Sequence, residues 1–99
     1  MKVLNSNKFQ WGQVVATRGV NEMIKEDVSF SQFVLKSFAR HCNGDWGDLG
    51  EEDKHLNDLA LLNGDDRLVS KYNFNDEISI YIITEWNRSA TTILFPSEY

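Results

Sequence analysis

The spacing of apolar residues divides the chain into a helical part and a strand-forming part that follows it. A first short helix, RGVNEMIKE, is predicted after Thr17, a residue type that often caps helices. A second helix is predicted from Ser29, because Ser29 and Gln32 have the spacing of a capping box and apolar residues, mostly phenylalanine, then recur on one helical face up to Phe38. Asn43–Gly44 is a typical helix end.

A third helix is predicted to begin between Asp48 and Glu51, which again have the spacing of a cap, and to end at Asn63–Gly64. The last third of the chain contains RLVSKYNF, EISIYIITEW and ATTILF, which are predicted strands joined by short connectors. The isoleucine-rich middle segment is apolar on both faces, so we expect it at the centre of the sheet, and Val14–Val15 is a possible fourth strand. The predicted fold is α+β with two layers, in which about three N-terminal helices pack on a three- to four-stranded antiparallel sheet.

The length of 99 residues suits one domain with one core, and the composition is that of an ordinary globular protein. The first residues are polar. We therefore expect residues 1–9 to form a flexible N-terminal segment and residues 10–99 to form a single α+β domain.

Charge and targeting signals restrict the classes of partner. A net charge of −5 disfavours direct binding to nucleic acid or to anionic lipid, since both depend on clusters of Lys and Arg. The start, MKVLNSNKFQ, lacks the apolar run of a signal peptide, and Cys42 is the single cysteine, so no disulfide within the chain is expected. These features predict a cytoplasmic protein with no membrane association.

The stretch RHCNGDWGDLGEEDKH concentrates acidic residues, both histidines and the cysteine. Its potential metal ligands, Asp45, Asp48, Glu51, Asp53 and His55, lack the order of a calcium-binding loop and the spacing of a zinc site. Carboxylates at a helix start more often stabilise the positive end of the helix dipole. We therefore expect no metal or other cofactor.

Two catalytic arrangements are conceivable from the sequence, and each has a structural alternative. Cys42 could pair only with His55, because the adjacent His41 points about 100° away on a helix. An acid–base cluster of His41, Asp45, Glu85 and Arg88 is the alternative enzymatic hypothesis, for a small hydrolase or a nucleic-acid-modifying enzyme. Pairing of Glu85 with Arg88 and burial of Cys42 as a small apolar group are the more common outcomes for such residues.

The tryptophans in loops have two interpretations. Trp46 lies between glycines in the loop joining two helices, and Trp86 lies in a predicted hairpin turn. A tryptophan in a loop either fills the edge of the core or stands out as a binding anchor. Both interpretations remain open from the sequence.

The motifs taken together resemble a family of short proteins from bacterial plasmids, phages and other mobile elements, often called plasmid-related. The shared pattern is R-H-x-x-G-D-W-G, an acidic pair, an asparagine, A-L-x-x-G, a S-x-Y strand, I-I-T-E-x-x-R-S-x-T-T and a closing P-x-E-Y. It corresponds to Arg40, His41, Gly44, Asp45, Trp46, Gly47, Glu52, Asp53, Asn57, Ala60, Leu61, Gly64, Ser70, Tyr72, Thr84, Glu85, Arg88, Ser89, Thr91, Thr92, Pro96, Glu98 and Tyr99. Trp86 departs from the pattern, because a smaller residue is expected after Glu85.

The resemblance implies a genomic setting without an established activity. Small acidic proteins of mobile elements often bind host defence proteins, so it implies a non-enzymatic interaction module, possible inhibition of a nucleic-acid-processing defence complex, and a partner with a basic surface. A homodimer formed through an open sheet edge or face is a third hypothesis. The predicted partner-binding residues are Asp45, Trp46, Asp48, Glu51, Glu52, Asp53, Glu85, Trp86 and Arg88.

Overall fold

The computed structural model describes residues 8–99, which form three helices and a four-stranded mixed sheet. Strand β1 precedes the helices, and the other strands follow them. The elements are β1 (Gln13–Ala16), α1 (Arg18–Glu26), α2 (Val28–Cys42), α3 (Glu51–Asn63), β2 (Leu68–Asn73), β3 (Ser79–Thr84), β4 (Ala90–Leu94) and a short 3-10 helix (Pro96–Glu98).

The predicted antiparallel sheet is wrong in one pairing. The strand order is β1-β4-β3-β2, with antiparallel pairs between β2 and β3 and between β3 and β4, as expected for hairpins. The predicted fourth strand exists, but β1 runs parallel to β4, with Val14 opposite Thr91. Short connectors determine only the direction of strands adjacent in the chain, and three helices separate β1 from the rest.

Helix α1 begins after Thr17, as predicted, but its cap comes from the other end of the chain. Thr17 makes no side-chain cap of its own. Instead, the carboxylate of Glu98 accepts hydrogen bonds from the Thr17 hydroxyl and from the backbone N–H groups of Gly19 and Phe95. A Cβ on Gly19 would lie 2.6 Å from this carboxylate, so a side chain there would displace the carboxylate from its present position. These bonds, first of all that from Thr17, lower the pKa of Glu98.

The other two helices begin within one residue of the predicted positions, at Val28 and Glu51, but their caps differ from the prediction. Asp27, rather than Ser29, caps α2, since its carboxylate accepts bonds from the backbone N–H of Phe30 (3.0 Å) and from the Ser29 hydroxyl. Helix α3 follows Gly50 without a side-chain cap, and Asp48 bonds elsewhere. Glu51–Asp53 do lie in the first turn of α3, where the helix dipole favours them.

The core consists of two buried clusters. The larger one joins Val20 of α1 and Phe30 of α2 to Tyr72, Ile80 and Ile93 of the sheet. The smaller one contains Trp46, Ala60 and Leu68, with Phe9 packed against it. The predicted flexible segment 1–9 falls largely outside the described residues. Phe9 is described, and it packs against the smaller cluster, with its ring 6.4 Å from that of Trp46.

Candidate functional site

The GDWG loop after α2 is pinned against the sheet. Gly47 adopts a positive φ of 78°, and a Cβ there would lie 2.0 Å from the backbone oxygen of Lys71. The loop therefore approaches β2 as closely as a paired strand would. Trp46 is only 3% exposed, and its indole N–H donates to Asp58 at 2.8 Å. Trp46 thus fills the core edge, and its ring is not available at the surface.

Polar groups of this loop and of α3 close the outer edge of β2. The side-chain amide of Asn57, itself buried, donates to the oxygen of Val69 (2.7 Å) and accepts from its N–H (3.0 Å). The backbone N–H of Lys71 donates to the backbone oxygen of Trp46, and the backbone oxygen of Lys71 accepts from the N–H of Asp48. The Asp48 carboxylate accepts from the backbone N–H of Asn73 at 2.9 Å. Asp48 and Asn57 therefore protect a sheet edge that would otherwise be open to pairing.

His41 is fully buried in a chain of hydrogen bonds. Thr91 donates its hydroxyl proton to the backbone oxygen of Trp11 (2.7 Å), so it must accept from the Thr84 hydroxyl (2.7 Å). Thr84 in turn accepts from Nε2 of His41 at 2.9 Å. The remaining nitrogen, Nδ1, accepts from the Ser70 hydroxyl. This order assigns a neutral imidazole with its proton on Nε2.

Burial shifts the pKa values of two potential catalytic groups of this region away from neutrality. It lowers the pKa of His41 to about 3 and raises the pKa of the buried Cys42 thiol to about 11. Both ring nitrogens of His41 already have partners within the described residues. Among the same residues, no group of three or more His, Cys, Asp or Glu side chains is arranged to hold a metal ion.

Asp45 and Arg88 also have local partners. Asp45 forms a two-pronged ion pair with Arg40, at 2.7 and 3.1 Å, and this contact lowers the pKa of Asp45. Arg88, at a positive φ of 61°, donates to the backbone oxygens of Asp66 and Ala60, and so fastens the β3–β4 hairpin to the end of α3. The four residues of the enzymatic hypothesis therefore have different surroundings. His41 belongs to a buried hydrogen-bond network and Asp45 to an ion pair. Arg88 binds backbone oxygens, and Glu85 is exposed.

The predicted partner-binding residues thus fall into two groups. Asp45, Trp46, Asp48 and Arg88 serve the fold through the contacts described above. The others are exposed in the structure: Glu51, Glu52, Asp53, Glu85 and Trp86, with Trp86 62% exposed. Of these, Glu51 makes a pair with Lys54, at 3.6 Å, on the solvent side of α3.

The outer face of α3 was missed by sequence reasoning. Leu56, Leu59 and Leu62 are 58%, 41% and 81% exposed, although the spacing of Leu56, Leu59 and Ala60 predicts a common apolar side. Of that predicted side only Ala60 is buried, together with the polar residue Asn57. Leucines recur around most of this helix, and that lack of a polar side is the signal that could have identified an exposed apolar face.

A groove of about 350 Å³ lies between α3 and the sheet face that the larger core cluster does not occupy. Val69, Tyr81 and Ile83 line it from β2 and β3, with Ile83 buried and the other two half-buried. The exposed side chains of Asp53 and Leu56 line it from α3. Leu56 therefore belongs to both the groove and the outer face of the helix.

Comparisons of the chain with family models, with curated proteins and with solved structures found no match. The resemblance to plasmid-related proteins therefore stays a prediction. None of the helices in the described residues is both long enough and apolar enough to cross a membrane.

Proposed function

We propose that the protein is a non-enzymatic interaction module that binds a basic protein surface through the outer face of α3. The observation that carries this proposal is the row of exposed leucines, Leu56, Leu59 and Leu62, on a helix whose first turn is acidic. Exposed apolar side chains in a contiguous patch mark binding surfaces on small proteins. Adjacent carboxylates would steer a basic partner and make association sensitive to salt.

The charge distribution supports this choice of partner. Between Asp45 and Asp66 there are eight carboxylates and one lysine. Asp45, Asp48 and Asp58 are engaged by Arg40, Asn73 and Trp46, respectively, and the carboxylates on the solvent side of α3 remain open to a partner. The larger core cluster joins α1 and α2 to the sheet, which supports an arrangement with both helices on one sheet face. In that arrangement α3 lies at the edge of the domain and is accessible.

Trp86 extends the proposed surface. Arg88 donates both to the carbonyl of Ala60 in α3 and to the backbone oxygen of Trp86, so the backbone of this exposed tryptophan is held near the end of that helix. Tryptophan is among the residues that most often dominate the energy of a protein interface. In its most specific form, supported by the resemblance alone, the partner is a nucleic-acid-processing defence protein of a bacterial host.

The test compares immobilised wild-type protein with two matched variants in a bacterial lysate. The surface variant combines Leu59→Ser with Glu52→Gln on the outer face of α3. The loop variant combines Asp76→Asn with Glu77→Gln and changes exposed charges in the loop between β2 and β3. We expect a protein with a basic patch to be retained by wild type and by the loop variant and lost by the surface variant. Its purified form should bind more weakly as salt increases. Retention by both variants, or binding insensitive to salt, would contradict the proposal.

A homodimer through the edge of β1 is the second candidate. Val14 and Val15 are 45% and 42% exposed, and alternate backbone groups of an edge strand point away from the sheet. Sedimentation at two protein concentrations separates the two cases. A mass that doubles with concentration, and that Val14→Lys returns to the monomer value, would favour the dimer.

A further inference from the structure

The groove between α3 and the sheet combines an apolar base with walls that carry two carboxylates and one guanidinium, that of Arg67. Its base is formed by Val69 and Ile83, which are opposite each other on adjacent strands. The exposed carboxylates of Asp53 and Asp66 lie among the lining residues, and Leu56 continues the apolar surface out to the face of α3. Its volume of about 350 Å³ is within the roughly 300–1,000 Å³ of typical ligand pockets.

One cation in the groove shows how positive charge can be accommodated there. The guanidinium of Arg67 lies 5.8 Å from the ring centre of Tyr99, and the Tyr99 ring packs 6.0 Å from that of Tyr81. Both tyrosines line the groove. Aromatic rings attract cations through their negative faces, so these rings and the two carboxylates favour a positively charged occupant.

We propose that the groove receives a short basic segment of the partner, with one apolar side chain against Val69 and Ile83 and Arg or Lys beside Asp53 and Asp66. This proposal rests on the proposed function, because it assigns the groove to the same basic partner that contacts α3. The occupant is a peptide segment rather than a separate small molecule because Leu56 makes the groove continuous with the exposed helix face.

The probe is an array of peptides of roughly a dozen residues, each with one Leu, Phe or Trp flanked by Arg or Lys. Copies in which Gln or Glu replaces the basic residues serve as charge controls. We expect binding by basic members alone. In methyl NMR spectra, the signals of Leu49, Leu56, Val69 and Ile83 should shift, while those of Val28 and Leu35, which are distant in sequence and exposed on α2, should not.

Two exposed leucines provide a matched pair of variants. Leu56 of α3 lines the groove, and Leu35 of α2, which is 70% exposed, does not. Leu56→Lys should weaken peptide binding about tenfold, and Leu35→Lys should leave it unchanged. Replacing Asp53 and Asp66 by Asn should weaken it about threefold, against no effect of Asp76→Asn.

Each alternative outcome overturns the groove proposal. Equal binding of the Gln copies would show that the site selects apolar groups without regard to charge. Absence of binding by every peptide, or signal shifts outside the groove, would show that the partner does not enter it. In those cases the proposed function would still stand if the lysate partner were lost on changing Leu59 and Glu52, so the two failures are distinguishable.

Discussion

Two regions belong to the same acidic stretch: the corner, which is the GDWG loop, and the outer face of α3. They differ in how their polar groups are used. In the corner, Asp45 pairs with Arg40, and the indole of Trp46 donates to Asp58. No buried side-chain nitrogen or oxygen in residues 8–99 lacks a hydrogen-bond partner. On the outer face of α3, carboxylates and leucines meet water. The polar groups of the corner are therefore engaged within the fold, and those on the outer face of α3 are exposed to solvent.

The sequence motifs that were predicted to bind a partner mostly make contacts within the fold instead. GDWG and TEWNRS stand out because they combine glycine, charge and tryptophan, which suggested a joint binding surface. In the structure, Gly47 allows close backbone approach, Trp46 fills a core edge, and Arg88 clamps two elements together. Several geometric demands on one short segment produce an unusual composition without any ligand.

Removal of the Trp46 ring should produce the largest effect. Trp46→Ala leaves a cavity beside Phe9 and His41 and should lower the free energy of unfolding by about 3–5 kcal/mol. Trp86→Ala, at a 62% exposed position, should change it by less than about 0.5 kcal/mol. Urea denaturation of both variants measures the difference. Equal losses would mean that the two tryptophans are not divided between core and surface.

The Asn57 clamp should rank next. Asn57→Ala removes both bonds to the backbone of Val69 and leaves its N–H and C=O unpaired at the β2 edge, which should cost about 2–3 kcal/mol. The nearby Asn63→Ala, at an exposed position, is the control. Hydrogen exchange adds a local readout, since the Val69 amide should lose protection. Unchanged protection would show that Asn57 does not close this edge.

The buried imidazole predicts a specific loss of stability in weak acid. The pKa of His41 is about 3 in the folded protein, against 6.5 for an exposed histidine, so the unfolded chain takes up the proton first. Stability is therefore complete above pH 6.5 and declines as pH falls towards 3, with about 2 kcal/mol lost between about pH 7 and 5.

The control for this prediction is His41→Asn, which has no group that titrates in that range. Its unfolding free energy should be lower at neutral pH, because the asparagine cannot span both Ser70 and Thr84, but flat across the same interval. Carboxylates with lowered pKa values, such as Asp27 and Asp45, lose their contributions only at more acid pH. A wild-type profile as flat as that of the variant would contradict a neutral buried His41.

The parts of the fold that depend on local spacing could be predicted from the sequence. The bounds of α1 follow from RGVNEMIKE after Thr17, and the ends of α2 and α3 follow from their Asn–Gly pairs. The hairpins of β2, β3 and β4 follow from short connectors. What failed depends on contacts distant in sequence: the parallel pairing of β1, and the cap of α1 by Glu98.

The candidate site was harder to predict because exposure is set by tertiary packing. Asp48 and Glu52 are both acidic residues of the same stretch. The Asp48 carboxylate accepts a hydrogen bond from the backbone of β2, whereas Glu52 is exposed to solvent. The apolar positions of α3 likewise predict Leu56 and Leu59 on the buried side, but Asn57, a polar residue, is buried in their place beside Ala60. A side-chain amide that replaces a strand partner has no signature in periodicity.

The smallest expected change in stability is at Leu62, on the outer face of α3. Comparison with its neighbour Leu61, which packs against the core, separates the exposed side of the helix from the buried side. Leu62→Lys, at an 81% exposed position, should alter the free energy of unfolding by less than about 0.5 kcal/mol, because little apolar area is buried there. Leu61→Lys is the matched control, since Leu61 packs against the cluster of Trp46, Ala60 and Leu68, and should be clearly destabilising. Thermal unfolding of both proteins measures this. If Leu62→Lys destabilised the domain as much as Leu61→Lys, the outer face of α3 would be part of the folded core, and the proposed binding surface would lose its basis.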